Sequence, residues 1–201
     1  MWYSLEIIPN LPFALKMRVY GLLAAKGNSD IESESNYILE DLKAVLNHIE
    51  QSTMGTESEE DFNALFEDCL RIMSPILKEE GIELINEIHS SRSILIDKNQ
   101  MEQVIINLLT NSMYALEEKE IKEITISAEV KEKRIYLIIT DTGTGIDAEI
   151  EDKIFLPFFT TRKDGAGIGL TLSKNIIEAH GGYLAFENGK NLTKFTVCLL
   201  E

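Results

Sequence analysis

Two clusters of glycine residues flank a pair of basic residues near the carboxyl end of the chain. The first cluster, DTGTG, spans residues 141–145, the second, GAGIG, spans residues 165–169, and Arg162 and Lys163 lie between them. Glycine allows the backbone to adopt positive φ or to approach a ligand closely. Cations and backbone amides at the start of a helix are suited to binding phosphate oxygens. The pattern therefore predicts a site for a phosphorylated ligand.

An aspartate and two asparagines indicate which ligand and which ion this site takes. Adenine presents a donor amine where guanine presents an acceptor oxygen, so a buried carboxylate at Asp141 selects adenine, with Gly143 and Gly145 letting the backbone approach the ring. Asn107 and Asn111 lie four residues apart on one face of a predicted helix, where their amide oxygens can bind one Mg²⁺. The residues thus point to a phosphorylated adenine compound with magnesium.

Other phosphate-binding motifs fit the sequence less well. The motif GxxxxGK[ST] does not occur. Residues 143–148, GTGIDA, match the loose dinucleotide fingerprint, but roughly twenty residues further on the chain offers no acidic residue at a strand end. The protein-kinase motifs GxGxxGxV, HRD and DFG are also absent.

The first part of the chain has the pattern of a helical hairpin. Between residues 3 and 52, apolar residues recur at spacings of three and four on both sides of the turn-like KGNSD, residues 26–30. This seam is typical of a four-helix bundle, which one hairpin cannot close alone, so it predicts pairing of two chains. The polar run QSTMGTESEED, residues 51–61, is predicted to be a linker or hinge.

After Asp61 helical and extended patterns alternate, which predicts an α+β fold for this part of the chain. A helix that begins at Phe62 and carries a late proline is followed by the strand IELINEI. The later elements are a helix over NQMEQVIINLLTNSMYALEE, strands over 123–130 and 134–140, a helix over 170–180, and a last hairpin of YLAFEN and KFTVCLL. Tyr114 is predicted to pack in the core, and Phe155, Phe158 and Phe159 to anchor the core and the loop that follows.

Composition excludes some classes of partner. The chain has 201 residues, 44% hydrophobic content and a net charge of −15, which argues against general affinity for nucleic acid or anionic membranes. No apolar run is long enough to span a membrane, and Cys69 and Cys198 have the surroundings of buried thiols in a reducing compartment. A cytoplasmic location is predicted, and a membrane-anchored parent protein is left open.

Four segments in order resemble the motifs of a known superfamily. NLLTNSMYAL resembles the N box, DTGTG the G1 box, LPFFTT the F box and GAGIGL the G2 box of sensor histidine kinases and the wider GHKL ATPases. The resemblance covers roughly residues 60–201 and implies an α/β sandwich with a mixed sheet that binds ATP. It implies that residues 1–54 are the dimerising, histidine-phosphotransfer-like hairpin. The segment from Phe158 to Gly169 would be the lid, short as in nitrogen-regulation kinases.

The resemblance also implies roles for particular residues. Asn111 would be the main magnesium ligand with Asn107 beside it, and Asp141 would recognise adenine. The residues implied to contact the nucleotide are Asn107, Asn111, Asp141, Gly143, Gly145, Thr160, Thr161, Arg162, Lys163, Gly165, Gly167, Ile168, Gly169 and Leu170. Hydrolysing members of the superfamily carry a glutamate where this chain has Asn107, and a neutral amide cannot act as a general base. The chain is therefore expected to favour phosphoryl transfer to a protein side chain.

The expected phosphate acceptor is absent from its box. Residues 5–11, LEIIPNL, resemble H-E-[IL]-x-N-P-L with Leu5 in place of the histidine, and Glu6 would be the base that deprotonates it. An alkyl side chain cannot attack phosphorus. The first hypothesis is a kinase core that transfers phosphate from ATP to a histidine and then to an aspartate of a response-regulator receiver domain. The alternatives are a degenerate ATP-binding switch that binds the regulator without catalysis, and a protein-serine kinase of the anti-sigma type.

Overall fold

The computed structural model describes residues 57–88, 93–162, 167–189 and 192–200. The described residues form helices and strands in an alternating order. These elements are β1 (Ser58–Asp61), α1 (Phe62–Glu79), β2 (Glu83–Glu87), β3 (Ser93–Ile96), α2 (Lys98–Ala115), β4 (Glu123–Lys131), β5 (Arg134–Asp141), α3 (Gly169–Ala179), β6 (Tyr183–Gly189) and β7 (Leu192–Leu200). The predicted hairpin, with Leu5 and Glu6, lies outside the described residues.

Five strands form one mixed sheet, as the sequence predicted for this domain. Their order is β2-β4-β5-β7-β6, with β2 parallel to β4 and the other neighbours antiparallel. Along the central strand β5 the buried residues alternate with half-buried ones, so Ile135, Leu137 and Ile139 share one face. The carboxyl end of this strand is Asp141, so the DTGTG segment begins at the end of the central strand.

The three described helices bury their apolar faces in a single core with the sheet. Helix α1 begins where Asp61 accepts hydrogen bonds from the N–H groups of Asn63 and Ala64, and Pro75 lies within it. Helix α2 contacts both α1 and α3 and contributes fully buried residues such as Ile105 and Leu108 to the core. None of the helices in the described residues has the length and apolar character needed to cross a bilayer.

The prediction of a linker over residues 51–61 is wrong for its last four residues. Ser58–Asp61 form β1, which pairs antiparallel with β3 in a second, two-stranded sheet. The segment SEED has no apolar alternation because β1 is largely exposed. Its order comes from backbone pairing with β3, whose Ile94 and Ile96 are buried in the core. Residues 51–56 lie outside the described residues.

Candidate functional site

A cavity of about 520 Å³ lies between the second half of α2, the loop after β5 and the start of α3. This volume is in the range of sites for small molecules. It is lined by most of the residues that the sequence predicted for the ligand, namely Asn107, Asn111, Asp141, Gly145, Thr160, Thr161, Arg162, Gly167, Ile168, Gly169 and Leu170. Gly143 lies in the same loop, while Lys163 and Gly165 are outside the described residues.

Asp141 is a buried carboxylate with two fixed hydrogen-bond partners. It is only 2% exposed. The N–H of Gly143 donates to Oδ1 at 3.0 Å, and the hydroxyl of Ser112 on α2 donates to Oδ2 at 3.0 Å. Burial raises the pKa of Asp141, whereas the hydrogen bonds from Gly143 and Ser112 act in the opposite direction. The carboxylate is therefore held in one orientation and keeps lone pairs for a ligand donor.

The loop after β5 packs against the end of α2 and requires glycine to do so. A Cβ at Gly143 would lie 2.6 Å from the Cβ of Ala115, and the N–H of Thr144 donates to the Ala115 carbonyl at 3.1 Å. Gly145 has a φ of +76°, a backbone angle that residues with a Cβ rarely adopt. The glycines predicted to let the backbone approach a ring also set the path of the loop.

Helix α3 begins at the cavity with an uncapped amino terminus. Its N-cap residue, Ile168, provides no side-chain hydrogen bond, and its first turn contains no acidic residue. The preceding Gly167 has a φ of +67° and accepts a hydrogen bond from the N–H of Phe158 at 2.8 Å. Backbone N–H groups in the first turn of a helix lack helical partners, and the helix dipole favours an anion there. This end of the cavity is suited to phosphate.

The two asparagines of α2 have different environments. The Asn107 amide donates to the hydroxyl of Ser173 on α3 at 2.9 Å, and its Oδ1 lies where a Cβ at Gly169 would be only 2.2 Å away. Asn107 therefore ties α2 to α3. The carboxamide of Asn111 lines the cavity and forms no hydrogen bond within the described residues. Its oxygen is of the hard type that Mg²⁺ prefers, so the donor set fits this ion.

Tyr114 is not a core residue, contrary to the sequence prediction. Its side chain is 47% exposed, and the guanidinium carbon of Arg162 lies 3.3 Å from the centre of its ring. The Nε of Arg162 is buried without a hydrogen-bond partner among the described residues. The stack places one cation at the cavity wall. Tyr114 lies three residues after Asn111 and seven after Asn107, so it shares their cavity-lining face of α2 and not the buried face of Leu108 and Ser112. This spacing could have shown its place, whereas the sequence holds no signal that pairs it with Arg162.

The three phenylalanines before the second glycine cluster are partly buried. The ring of Phe155 packs against that of Phe186 on β6 with centroids 6.0 Å apart, and its carbonyl accepts a hydrogen bond from the hydroxyl of Thr171. Phe155 also packs against the core, as predicted. Phe159 lines the cavity. This segment thus connects the start of α3 to the sheet.

Comparison with known proteins relates the chain to ATPases. Residues 96–201 match the family described as histidine kinase-, DNA gyrase B-, and HSP90-like ATPase. The sensor histidine kinase ZraS of Salmonella typhimurium is 34% identical over 147 residues, which are 69% of this chain and 30% of that protein. The sensory histidine kinase/phosphatase NtrB of Vibrio alginolyticus is 36% identical over 116 residues, or 53% and 33%. The chain thus spans about a third of these relatives.

Among solved structures, the catalytic domain of histidine kinase ThkA superposes with a TM-score of 0.66 at 29% identity. The match covers 72% of this chain and 95% of that domain. Since that domain is matched almost completely, the likeness extends over a whole folding unit.

Proposed function

Because the chain belongs to the family of histidine kinase-, DNA gyrase B- and HSP90-like ATPases, we propose that its cavity binds Mg-ATP. We propose further that the chain is the catalytic core of a two-component sensor histidine kinase. In this proposal residues 60–201 bind the nucleotide, and residues 1–54 form the hairpin through which two chains pair. The core acts in the cytoplasm on a response-regulator receiver domain.

The observation that carries the nucleotide proposal is the environment of Asp141. A carboxylate that is 2% exposed and lies at the wall of a cavity must accept hydrogen bonds to offset its loss of water. Ser112 and Gly143 provide two of them from the protein side. The exocyclic amine of adenine provides the complementary donor on the cavity side, whereas the oxygen of guanine would meet the carboxylate with a second acceptor.

The other end of the cavity suits the triphosphate. The uncapped N–H groups at the start of α3 would receive phosphate oxygens, and Arg162 would add a positive charge from the cavity wall. Asn111 would hold the metal by its amide oxygen. Mg²⁺, when bound, neutralises charge on the phosphate oxygens. In this proposal the residues of the chain bind and orient the nucleotide and exclude water from it. These tasks are most of what phosphoryl transfer requires of a protein.

Transfer to a histidine rather than to water is supported by Asn107. Its amide is neutral, is bound to Ser173, and cannot remove a proton from a water molecule. The names of two matched relatives, sensor histidine kinase ZraS and sensory histidine kinase/phosphatase NtrB, support a histidine as the first acceptor. A regulator aspartate as the second acceptor is part of the proposal. Leu5 at the expected acceptor position supports a second candidate, an ATP-binding switch without catalysis.

Calorimetry and labelling separate these candidates. We expect Mg-ATP titrated into the full chain to release heat with a stoichiometry near one, and the absence of binding would refute the nucleotide site. The chain is then incubated with labelled ATP and a partner chain that has an intact acceptor histidine but a disabled nucleotide site. Acid-labile label on the partner supports the kinase, whereas tight binding without label supports the switch.

Replacing Leu5 tests whether LEIIPNL is an altered acceptor box. We expect Leu5→His to gain acid-labile self-labelling from Mg-ATP, because an imidazole nitrogen supplies the lone pair that leucine lacks. The double variant Leu5→His/Glu6→Gln should label more slowly by about tenfold or more, because it lacks the general base. A Leu5→His variant that binds Mg-ATP normally but acquires no label would refute this assignment.

A further inference from the structure

Asn188 lies at the end of β6, beside the cavity but not among the residues that line it. In the sheet register Asp141 of β5 pairs with Thr193 of β7, and Thr193 pairs with Asn188. Asp141 and Thr193 both line the cavity and are buried. Asn188 therefore occupies the outer position of a row that begins at the proposed adenine-recognising carboxylate.

The carboxamide of Asn188 binds both backbone groups of Ile146, the residue that follows DTGTG. Its Oδ1 accepts from the Ile146 N–H at 2.9 Å, and its Nδ2 donates to the Ile146 carbonyl oxygen. Nδ2 also donates to Oε1 of Glu151 at 2.8 Å. The side chain imitates a rung of a β-ladder, and an amide supplies the acceptor and two donors that this requires.

These contacts anchor one side of the loop whose other side rests on α2. Thr144 donates to the carbonyl of Ala115 at the end of that helix. Gly145 lies between the two anchors and has a positive φ. A Cβ added to Gly145 would lie 3.0 Å from Oδ1 of Asn188, so the backbone there is close to this side chain. Thr144, Gly145 and Ile146 all line the cavity. The position of this wall of the cavity thus depends on both anchors.

We propose that Asn188 is a positioning residue of the nucleotide site, which fixes the backbone of Gly145 and Ile146 against the base. This inference rests on the proposed binding of Mg-ATP. Asn188 acts through Ile146, since it does not line the cavity itself. Its loss therefore weakens nucleotide binding and selectivity for adenine, while the rate of any phosphoryl transfer to a partner chain with an intact acceptor histidine stays nearly constant at saturating ATP.

Asn188→Asp is the sharpest test because it preserves size and replaces the two N–H donors of Nδ2 by a charged acceptor. The new carboxylate would face the Ile146 carbonyl and the Glu151 carboxylate. We expect the Kd for Mg-ATP, measured by calorimetry on the full chain, to rise about tenfold. The ratio of the Kd values for Mg-GTP and Mg-ATP should fall, and the Ile146 amide should exchange with solvent faster.

Asn86 offers a matched control on the opposite edge of the same sheet. Its Oδ1 accepts from the N–H of Ile88 at 3.0 Å, and its Nδ2 donates to Oε1 of Glu67 at 3.5 Å. Asn86→Asp makes the same chemical change and adds the same charge, but on β2, the edge strand opposite β6. We expect its Kd to stay within about twofold of the unmodified chain. Equal weakening in both variants would assign the effect to charge and overturn the positioning role.

The remaining outcomes separate this inference from the proposed function. If the unmodified chain binds no Mg-ATP, both fail together. If it binds Mg-ATP and Asn188→Asp binds equally well, only the positioning role fails. Should Asn188→Asp lose its cooperative thermal transition, Asn188→Ala, which removes both bonds to Ile146 without adding a charge, replaces it. That variant should bind about threefold more weakly, and unchanged affinity would overturn the proposal.

Discussion

A buried hydroxyl favours the ionised form of the carboxylate at the cavity wall. Ser112, which is 1% exposed, donates its hydrogen bond to Asp141 and so stabilises the ionised form of that carboxylate. Burial works against ionisation. The ionised form is the one that accepts two protein donors and still has lone pairs for a ligand amine. Ser112 stood in the N-box-like segment without a signal that distinguished it from a packing residue.

We expect nucleotide affinity to fall as the pH decreases, and we expect this fall to begin at a higher pH than that at which an exposed aspartate becomes protonated. Because burial raises the pKa of Asp141, protonation as pH decreases removes an acceptor from the adenine amine before exposed carboxylates titrate. Ser112→Ala removes a hydrogen bond that lowers this pKa, so its loss of affinity should begin at a still higher pH. Calorimetric Kd values for Mg-ADP across a pH series measure both profiles.

The phosphates of the nucleotide also titrate, so Asp141→Asn provides the reference at each pH. This variant cannot ionise at position 141 and should bind at least about tenfold more weakly near neutral pH, with no acid transition of its own. A Ser112→Ala profile that coincides with that of the unmodified chain, or moves to lower pH, would contradict the role of the hydroxyl.

At the scale of helices and strands, local patterns predicted most of the described elements. Strand β5 alternates buried residues along its length, and Asp97 and Asp61 cap α2 and α1 with their side chains. Pairings distant in sequence could not be predicted, because nothing in SEED indicates that it would meet SILI as β1 and β3. The same reason hid Asn188, which belongs to no motif and contacts a loop that is 42 residues away in sequence.

The interface of α2 and α3 depends on the absence of a side chain at Gly169. A Cβ there would lie 2.2 Å from Oδ1 of Asn107, so Gly169→Ala must displace the carboxamide that binds Ser173. This displacement would also move the first turn of α3, where phosphate is proposed to bind. We expect the Kd for Mg-ATP to rise about tenfold or more, measured by calorimetry, with a lower melting temperature.

Gly189→Ala is the control for glycine replacement in this domain. Its nearest neighbour would be 3.7 Å away, which is ordinary contact, and its backbone does not need glycine. Both its affinity and melting temperature should remain close to those of the unmodified chain.

A double variant tests whether Gly169 and Asn107 act through the same contact. In Gly169→Ala/Asn107→Ala the clash is relieved, so the double variant should lose less binding free energy than the sum of the two single losses. Strict additivity would contradict a shared cause.

At the scale of the whole molecule, the proposed function requires an acidic chain to bind an acidic ligand by local means. The net charge of −15 repels a nucleotide at a distance. At the cavity the groups that favour phosphate are the backbone N–H groups of α3 and the guanidinium of Arg162, held on Tyr114. Binding should consequently tighten or remain constant as salt screens the general repulsion. The acidic composition predicted that a bound anion must be held by local groups, and the two glycine clusters predicted where those groups lie.

The two cysteines of the chain report whether the described domain unfolds as one unit. Cys69 on α1 and Cys198 on β7 are both fully buried, and burial raises the pKa of Cys69 to about 12, so either thiol reacts only after opening. If Mg-ATP binds the folded state alone, a concentration of 100 times its Kd should slow labelling of both thiols by about 100-fold. Mass spectrometry of peptides after timed alkylation distinguishes them. Cys69 lies on helix α1, which does not line the cavity. Protection of Cys198 alone would show that α1 opens independently of the proposed nucleotide site. That result would contradict a single cooperative core.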